Sequence, residues 1–121
     1  MIKGIGIDMV EIDRIKQSIK RQPRFVQRIL TENEYQRCLA LQEQRQAEFA
    51  AGRFAAKEAF AKAAGTGIGA LSFQDMEILA SENGAPLMTA KGYEACRIWV
   101  SITHSRSHAV AQVVLEEGGR E

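Results

Sequence analysis

Hydrophobic positions recur at helical spacing through the first half of the chain, and from Phe73 onward their period drops to two. The opening residues 2–7 are apolar, carry Gly4 and Gly6, and reach a carboxylate at Asp8. This reads as a short buried strand that stops at Asp8. Val10, Ile12, Ile15 and Ile19 then fall near one helical face, which predicts a helix over residues 10–21. Pro23 breaks it, because the residue before a proline avoids the helical region, and a short helix restarts there. Thr31 followed three residues later by Glu34 is a capping box that opens a helix to about Leu41. Residues 44–64 form the strongest predicted helix. They hold nine alanines between Ala47 and Ala64, together with Phe49, Phe54 and Phe60. Alanine favours the helix and lets a neighbouring backbone come close. Gly65 ends it as a C-terminal cap.

In the second half, Met76, Ile78 and Ala80 alternate with Asp75 and Glu77, the pattern of a half-buried strand. Asn83-Gly84 is a turn signal with Pro86 just behind it. Residues 98–103 and 109–115 are β-branched runs separated by HSRSH, which predicts a hairpin. Helices first and strands later imply an α+β fold, with a mostly antiparallel sheet packed on the long alanine-rich helix. Trp99 is expected in the core. The charged, glycine-bearing residues 116–121 are expected to fray.

The chain has 121 residues, is 45% apolar and 26% charged, and shows no internal repeat or linker. One domain over residues 1–121 follows, and disordered, fibrous and disulfide-scaffold classes are excluded. Cys38 and Cys96 stand far apart with no CxxC pair, which suits a reducing compartment. No segment reads as a signal peptide or as a membrane span, so a soluble cytoplasmic protein is the expectation. A chain this short has difficulty walling off an active site alone, which directs attention to sites shared between subunits.

The formal net charge is only +1, so the distribution of charge carries the information. Arg14, Lys16, Lys20, Arg21, Arg24 and Arg28 occupy fifteen residues without an acid. Arg14, Arg21, Arg24 and Arg28 share one helical face if Pro23 disturbs it little, with Phe25 among them. A solvated face is the ordinary fate of such a run. A basic face without balancing acids also fits an acidic partner. Nucleic acid is disfavoured, since the chain is not basic overall and only Phe25 is there to stack on a base.

Glu58 and Lys62 lie four residues apart on one helical face, and by spacing alone this is an ordinary surface ion pair. If strand and helix pack together, Asp8 joins Glu58, and two carboxylates with few other ligands suit Mg²⁺. The glycines of GTGIG, residues 65–69, follow a helix instead of opening one, which argues against a dinucleotide fingerprint. They read as a helix cap and loop whose bare amides can approach a phosphate. His104 and His108 flank a turn and lack the HExxH pattern, so zinc is not indicated.

Three blocks, taken together, resemble the holo-[acyl-carrier-protein] synthases, the short bacterial type of 4′-phosphopantetheinyl transferase. They are GIGIDMVEIDRI, FAAKEAFAKAAGTGIG and SITHSRSHAVA, with NGAP at residues 83–86 also fitting. They stand in the family's order and span nearly the whole chain.

The resemblance implies transfer of the 4′-phosphopantetheine arm of coenzyme A to a serine of apo acyl carrier protein, releasing 3′,5′-ADP. It implies Mg²⁺ held by Asp8 and Glu58, and Lys62 neutralising the pyrophosphate or assisting departure of 3′,5′-ADP. Either Glu58 or a metal-bound water would take the serine proton. The resemblance places Arg53, Gly65, Thr66, Gly67, Pro86 and His104 along the coenzyme A groove. It implies a homotrimer with that groove between subunits. The basic face of Arg14, Arg21, Arg24 and Arg28, with Phe25, then becomes a docking surface for the acidic carrier. Two other classes explain part of the sequence. A non-enzymatic module gripping an acidic protein leaves Asp8, Glu58 and Lys62 idle. A Mg²⁺-dependent enzyme cleaving another pyrophosphate does not need the basic face.

Overall fold

The computed structural model describes residues 1–67 and 71–118. Ile68 and Gly69 of the glycine loop, and residues 119–121 of the expected frayed end, lie outside the described residues. The chain runs β1 (Ile2–Glu11), α1 (Ile12–Arg21), α2 (Phe25–Ile29), α3 (Glu32–Leu39) and α4 (Glu43–Ala64). A 3₁₀ turn at Phe73–Asp75 leads into β2 (Met76–Ala80), β3 (Pro86–Ala90), β4 (Cys96–His104) and β5 (His108–Glu117). The α+β class is as expected. One antiparallel sheet has the order β1-β5-β4, and a second pairs β2 with β3.

The first sheet lays one face on α4. Ala109, Ala111, Val113 and Leu115 of β5 point inward and are buried, as are Ala55, Ala59 and Phe60 of the helix. Residues of one parity face the helix because strand side chains alternate. Small side chains on both partners let helix and strand come close. Gly4 and Gly6 carry this furthest, since a Cβ at Gly6 would stand 1.9 Å from the Ala59 carbonyl oxygen. Glycine is required at both positions by proximity.

Five expectations are corrected. The first strand does not stop at Asp8; it pairs with β5 as far as Glu11 opposite His108, so α1 starts only at Ile12. Nor is it buried on both faces, because Ile5, Ile7 and Met9 point away from α4 and are more than half exposed. Trp99 is not core: it lies on the same outer face, 56% exposed, and its indole N–H donates to Glu116 Oε1 at 2.9 Å. Glu116 and Glu117 do not fray, since both are paired in β5. The third helix ends at Leu39, short of Leu41.

The turn chemistry follows the sequence. Thr31 and Glu34 form the reciprocal capping box of α3. Gly65 caps α4 in the left-handed conformation at φ 76°, where a side chain would be strained. Asn83-Gly84 turns the β2–β3 hairpin, with Gly84 at φ 88°.

Candidate active site

The close contact of β1 with α4 assembles the candidate site. Gly4, Gly6 and Asp8 share the inner face of β1 by strict alternation. The two glycines seat the strand against Ala63 and Ala59 in turn, and the next inward residue, Asp8, comes within reach of Glu58 and Lys62. There the Lys62 ammonium donates to Asp8 Oδ1 at 3.1 Å and to the Ile7 carbonyl at 2.9 Å. The expected pair of Glu58 with Lys62 along the helix does not close, because Lys62 reaches across to the strand.

Glu58 sits one turn before Lys62. Partial burial, then the charge of Asp8, pushes its carboxyl above the ordinary value, while Lys62 pulls the other way. Two carboxylates that repel one another beside one ammonium form a small, charged, oxygen-rich corner at the sheet edge. No group of three or more His, Cys, Asp or Glu side chains that could hold a metal occurs among the described residues. A pair of hard oxygen donors fits Mg²⁺, which keeps several waters and takes substrate phosphate oxygens as further ligands. It fits poorly with zinc, which takes three or four protein ligands including nitrogen or sulfur.

Arg53 and His104 meet in a second place. They line a cavity of about 170 Å³ with Arg45, Glu48, Phe49 and Gly52. The Arg53 guanidinium lies 4.0 Å from the centroid of the Phe49 ring and donates to the Ile78 carbonyl at 3.4 Å, while its Nε has no partner. The His104 Nε2 stands 3.9 Å from Glu48 Oε1. Pro86 begins β3 and lines a different hollow, of about 520 Å³, beside Trp99. Gly65, Thr66 and Gly67 are exposed at the end of α4, with Gly67 at φ 70° and the Thr66 hydroxyl donating to the Gly67 carbonyl at 3.1 Å. One copy of the chain thus brings Asp8, Glu58 and Lys62 together, and separately Arg53 and His104. It does not gather all the expected groove residues into one cavity.

The basic stretch also departs from expectation. Arg14 and Arg21 belong to α1, Arg24 precedes α2, and Arg28 lies within it. Gln22 is extended (φ −135°, ψ 93°), so the four arginines do not share one helical face. All four are exposed. Arg24 and Arg28 border one hollow with Gln22 and Pro23. Phe25 is half-buried, with its ring 6.4 Å from that of Phe54, which stacks on Phe73 at 5.4 Å.

One charged cluster escaped the sequence reading. Lys57 and Glu34 are both fully buried and form an ion pair of 2.6 Å. The capping box accounts for Glu34 locally, and the alanine-rich surroundings of Lys57 are the one sequence signal that this lysine points inward.

Comparison with known proteins shows the family. The family model of the 4′-phosphopantetheinyl transferase superfamily matches residues 4–113, and the chain belongs to that family. Within it, the chain is 55% identical over 116 residues to a holo-[acyl-carrier-protein] synthase of Oceanobacillus iheyensis, covering 96% of this chain and 98% of that one. It is 54% identical over 121 residues to the synthase of Bacillus velezensis, covering 99% and 100%. A solved holo-(acyl-carrier-protein) synthase from Bacillus anthracis, in complex with CoA (3′,5′-ADP), superposes with a TM-score of 0.90. It is 46% identical and covers 98% of this chain and 99% of that one. The Helicobacter pylori synthase in complex with coenzyme A gives 0.82, with 38% identity and coverage of 93% and 99%.

Proposed function

We propose that this chain transfers 4′-phosphopantetheine from coenzyme A to a serine of apo acyl carrier protein and releases 3′,5′-ADP. The observation that carries the reading is the convergence of Asp8, Glu58 and Lys62 where β1 meets α4, in a chain of this family. The serine oxygen forms a new bond to the phosphorus bearing the pantetheine arm. The bond from that phosphorus to the oxygen of 3′,5′-ADP breaks, and the serine proton must leave. Such a reaction depends on positioning and charge neutralisation more than on covalent chemistry. Asp8 and Glu58 would hold Mg²⁺, which supplies Lewis-acid polarisation of the pyrophosphate when bound. Lys62, 55% exposed at its side chain, is free to turn from Asp8 toward a phosphate oxygen or the departing 3′,5′-ADP. Either Glu58 or a metal-bound water would take the serine proton.

The donor is read as spanning Arg53 and His104, Gly65, Thr66 and Gly67, and Pro86. Their dispersal within one copy favours a groove completed by a second copy. The outer face of the first sheet supports self-association, since Ile5, Val114 and Trp99 form one cross-strand row whose ends, Ile5 and Trp99, are more than half exposed. Apolar faces of this kind mark interfaces. The homotrimer itself follows the family resemblance. Ile7→Lys combined with Trp99→Arg is expected to give single chains by light scattering and to cut turnover about 100-fold or more, as losing half of a positioned site does. An active, monodisperse monomer would overturn the shared groove.

Arg14, Arg21, Arg24 and Arg28, flanking the half-buried Phe25, are read as the docking surface for the acidic carrier. Arg24→Glu with Arg28→Glu is expected to lower the carrier association rate ~10-fold at low salt, with little change in turnover at saturation. The difference should shrink toward high salt, as screened surface charges require. Stopped-flow binding at two ionic strengths reads it, and a salt-independent effect would exclude steering. No helix among the described residues is long and apolar enough to cross a membrane. The reaction is assigned to the cytoplasm.

The test is direct. The purified chain, coenzyme A, Mg²⁺ and an apo acyl carrier protein are mixed, and the carrier is weighed intact. A gain of one phosphopantetheine that EDTA abolishes supports donor, acceptor and metal together. Binding of carrier without modification would favour a docking module. Turnover of other pyrophosphates without carrier would favour a different phosphoryl enzyme.

A further inference from the structure

The buried ion pair of Glu34 and Lys57 is not used by the chemistry above, yet it joins more elements than any other polar contact described. Lys57 lies on α4 immediately before Glu58, and its ammonium donates to three groups. These are Glu34 Oε1 on α3 at 2.6 Å, the Ile29 carbonyl at the end of α2 at 2.8 Å, and the Phe73 carbonyl at 3.1 Å. Glu34 accepts in turn from the Thr31 N–H at 2.9 Å and, through Oε2, from the Ile78 N–H of β2 at 2.7 Å. The Ile78 carbonyl then receives Arg53.

An ammonium has three protons, and here all three are directed at fixed acceptors. The rotation and axial position of α4 are thereby set against the end of α2. Apolar contacts are non-directional, whereas these three hydrogen bonds are directional and fix α4 against named backbone atoms. Burial itself acts against the charge on Lys57, and the Glu34 carboxylate opposes that effect. Replacing buried ion pairs by apolar residues is often neutral or stabilising. Stability alone is therefore a weak reason for this pair, and geometric registration is a better one.

We infer that Glu34 and Lys57 are positioning residues that hold α2, which carries Phe25 and Arg28 of the docking surface, in register with the catalytic helix α4. The inference rests on the proposed function, since it treats α2 as part of the docking surface and Glu58 as catalytic. Neither residue is assigned a contact with substrate. Their loss should leave the donor side of the site intact while the incoming serine no longer lines up with it.

The experiment compares the wild-type chain with Glu34→Leu/Lys57→Met, an apolar pair of similar volume. Donor affinity is measured by calorimetry with coenzyme A and Mg²⁺, and transfer kinetics are measured against carrier concentration. We expect a folded double variant with donor Kd within about twofold of wild type and kcat/KM for the carrier down ~10–100-fold, the scale of a small misalignment. If the double variant does not fold, Glu34→Gln is read by the same two measurements. Equal losses for donor and carrier, no loss in either, or failure of both variants to fold would overturn the inference and make the pair a stability element. A wild-type chain inactive toward every carrier would instead fail the proposed function, so the two failures are distinguishable.

Discussion

Glu58→Gln is expected to stop phosphopantetheine transfer while the chain stays folded. The side chain is only partly buried, and its ionised carboxylate is already disfavoured by burial and by the charge of Asp8. Exchanging it for an amide of the same shape removes repulsion from the folded state, so the melting temperature without divalent metal should not fall. The loss should instead fall on turnover, by roughly 10³-fold, the scale seen when one preorganised charge-stabilising group is removed from a site. Asp8→Asn should do the same and should also remove the charge that strengthens its 3.1 Å contact with Lys62. The Asp8→Asn/Glu58→Gln double variant should be little worse than either single one, because groups acting as a unit are not additive. Intact-mass assays of the carrier over time measure all three. A Glu58→Gln chain within tenfold of wild type would remove Glu58 from the site.

Gly6→Ala is expected to be among the most damaging single-methyl additions in the chain. The new Cβ would stand 1.9 Å from the Ala59 carbonyl oxygen and 2.9 Å from the Ala63 nitrogen. Both are backbone atoms inside α4, so no side chain can rotate away. Helix and strand must separate by more than an ångström, along an interface whose other members are alanines too short to fill the gap. A cost of about 3 kcal/mol, the upper end for overpacking, is expected. In a domain of this size that lowers the melting temperature by ~10 °C. Turnover should fall further than the lost stability accounts for, since Asp8 rides on the displaced strand. Gly4→Ala meets the Ala63 carbonyl oxygen at 1.8 Å and should behave alike. A Gly6→Ala chain melting within 2–3 °C of wild type would mean that β1 and α4 do not pack this closely.

These two predictions also mark where sequence reading reached and where it ended. The alternation of Gly4, Gly6 and Asp8 was visible, but its purpose was not, because a glycine's role depends on what approaches it. The strand was read as ending at Asp8 because a charge looked like a boundary. In the sheet, Asp8 is one inward position among several, and pairing with β5 carries the strand to Glu11. Lys62 was read as a partner for Glu58 from i, i+4 spacing, and a strand brought within reach of the helix took it instead. Trp99 was placed in the core by its size, whereas strand parity puts it outside with Ile5.

The local elements were determined by the sequence itself. The capping box at Thr31, the glycine cap at Gly65, the Asn83-Gly84 turn and the period-two runs rest on contacts within a few residues, which the chain states directly. The family, too, was legible from three blocks. Only the tertiary structure decided which charges meet. Asp8 with Lys62, and Glu34 with Lys57, are 54 and 23 residues apart, and nothing local couples them. The bend at Gln22 that divides the arginines is local by contrast: Gln22 precedes Pro23, which keeps it out of the helical region. Charge and polarity along a chain report what a residue can do. The packing distance between a glycine-bearing strand and an alanine helix determines which residues do it together.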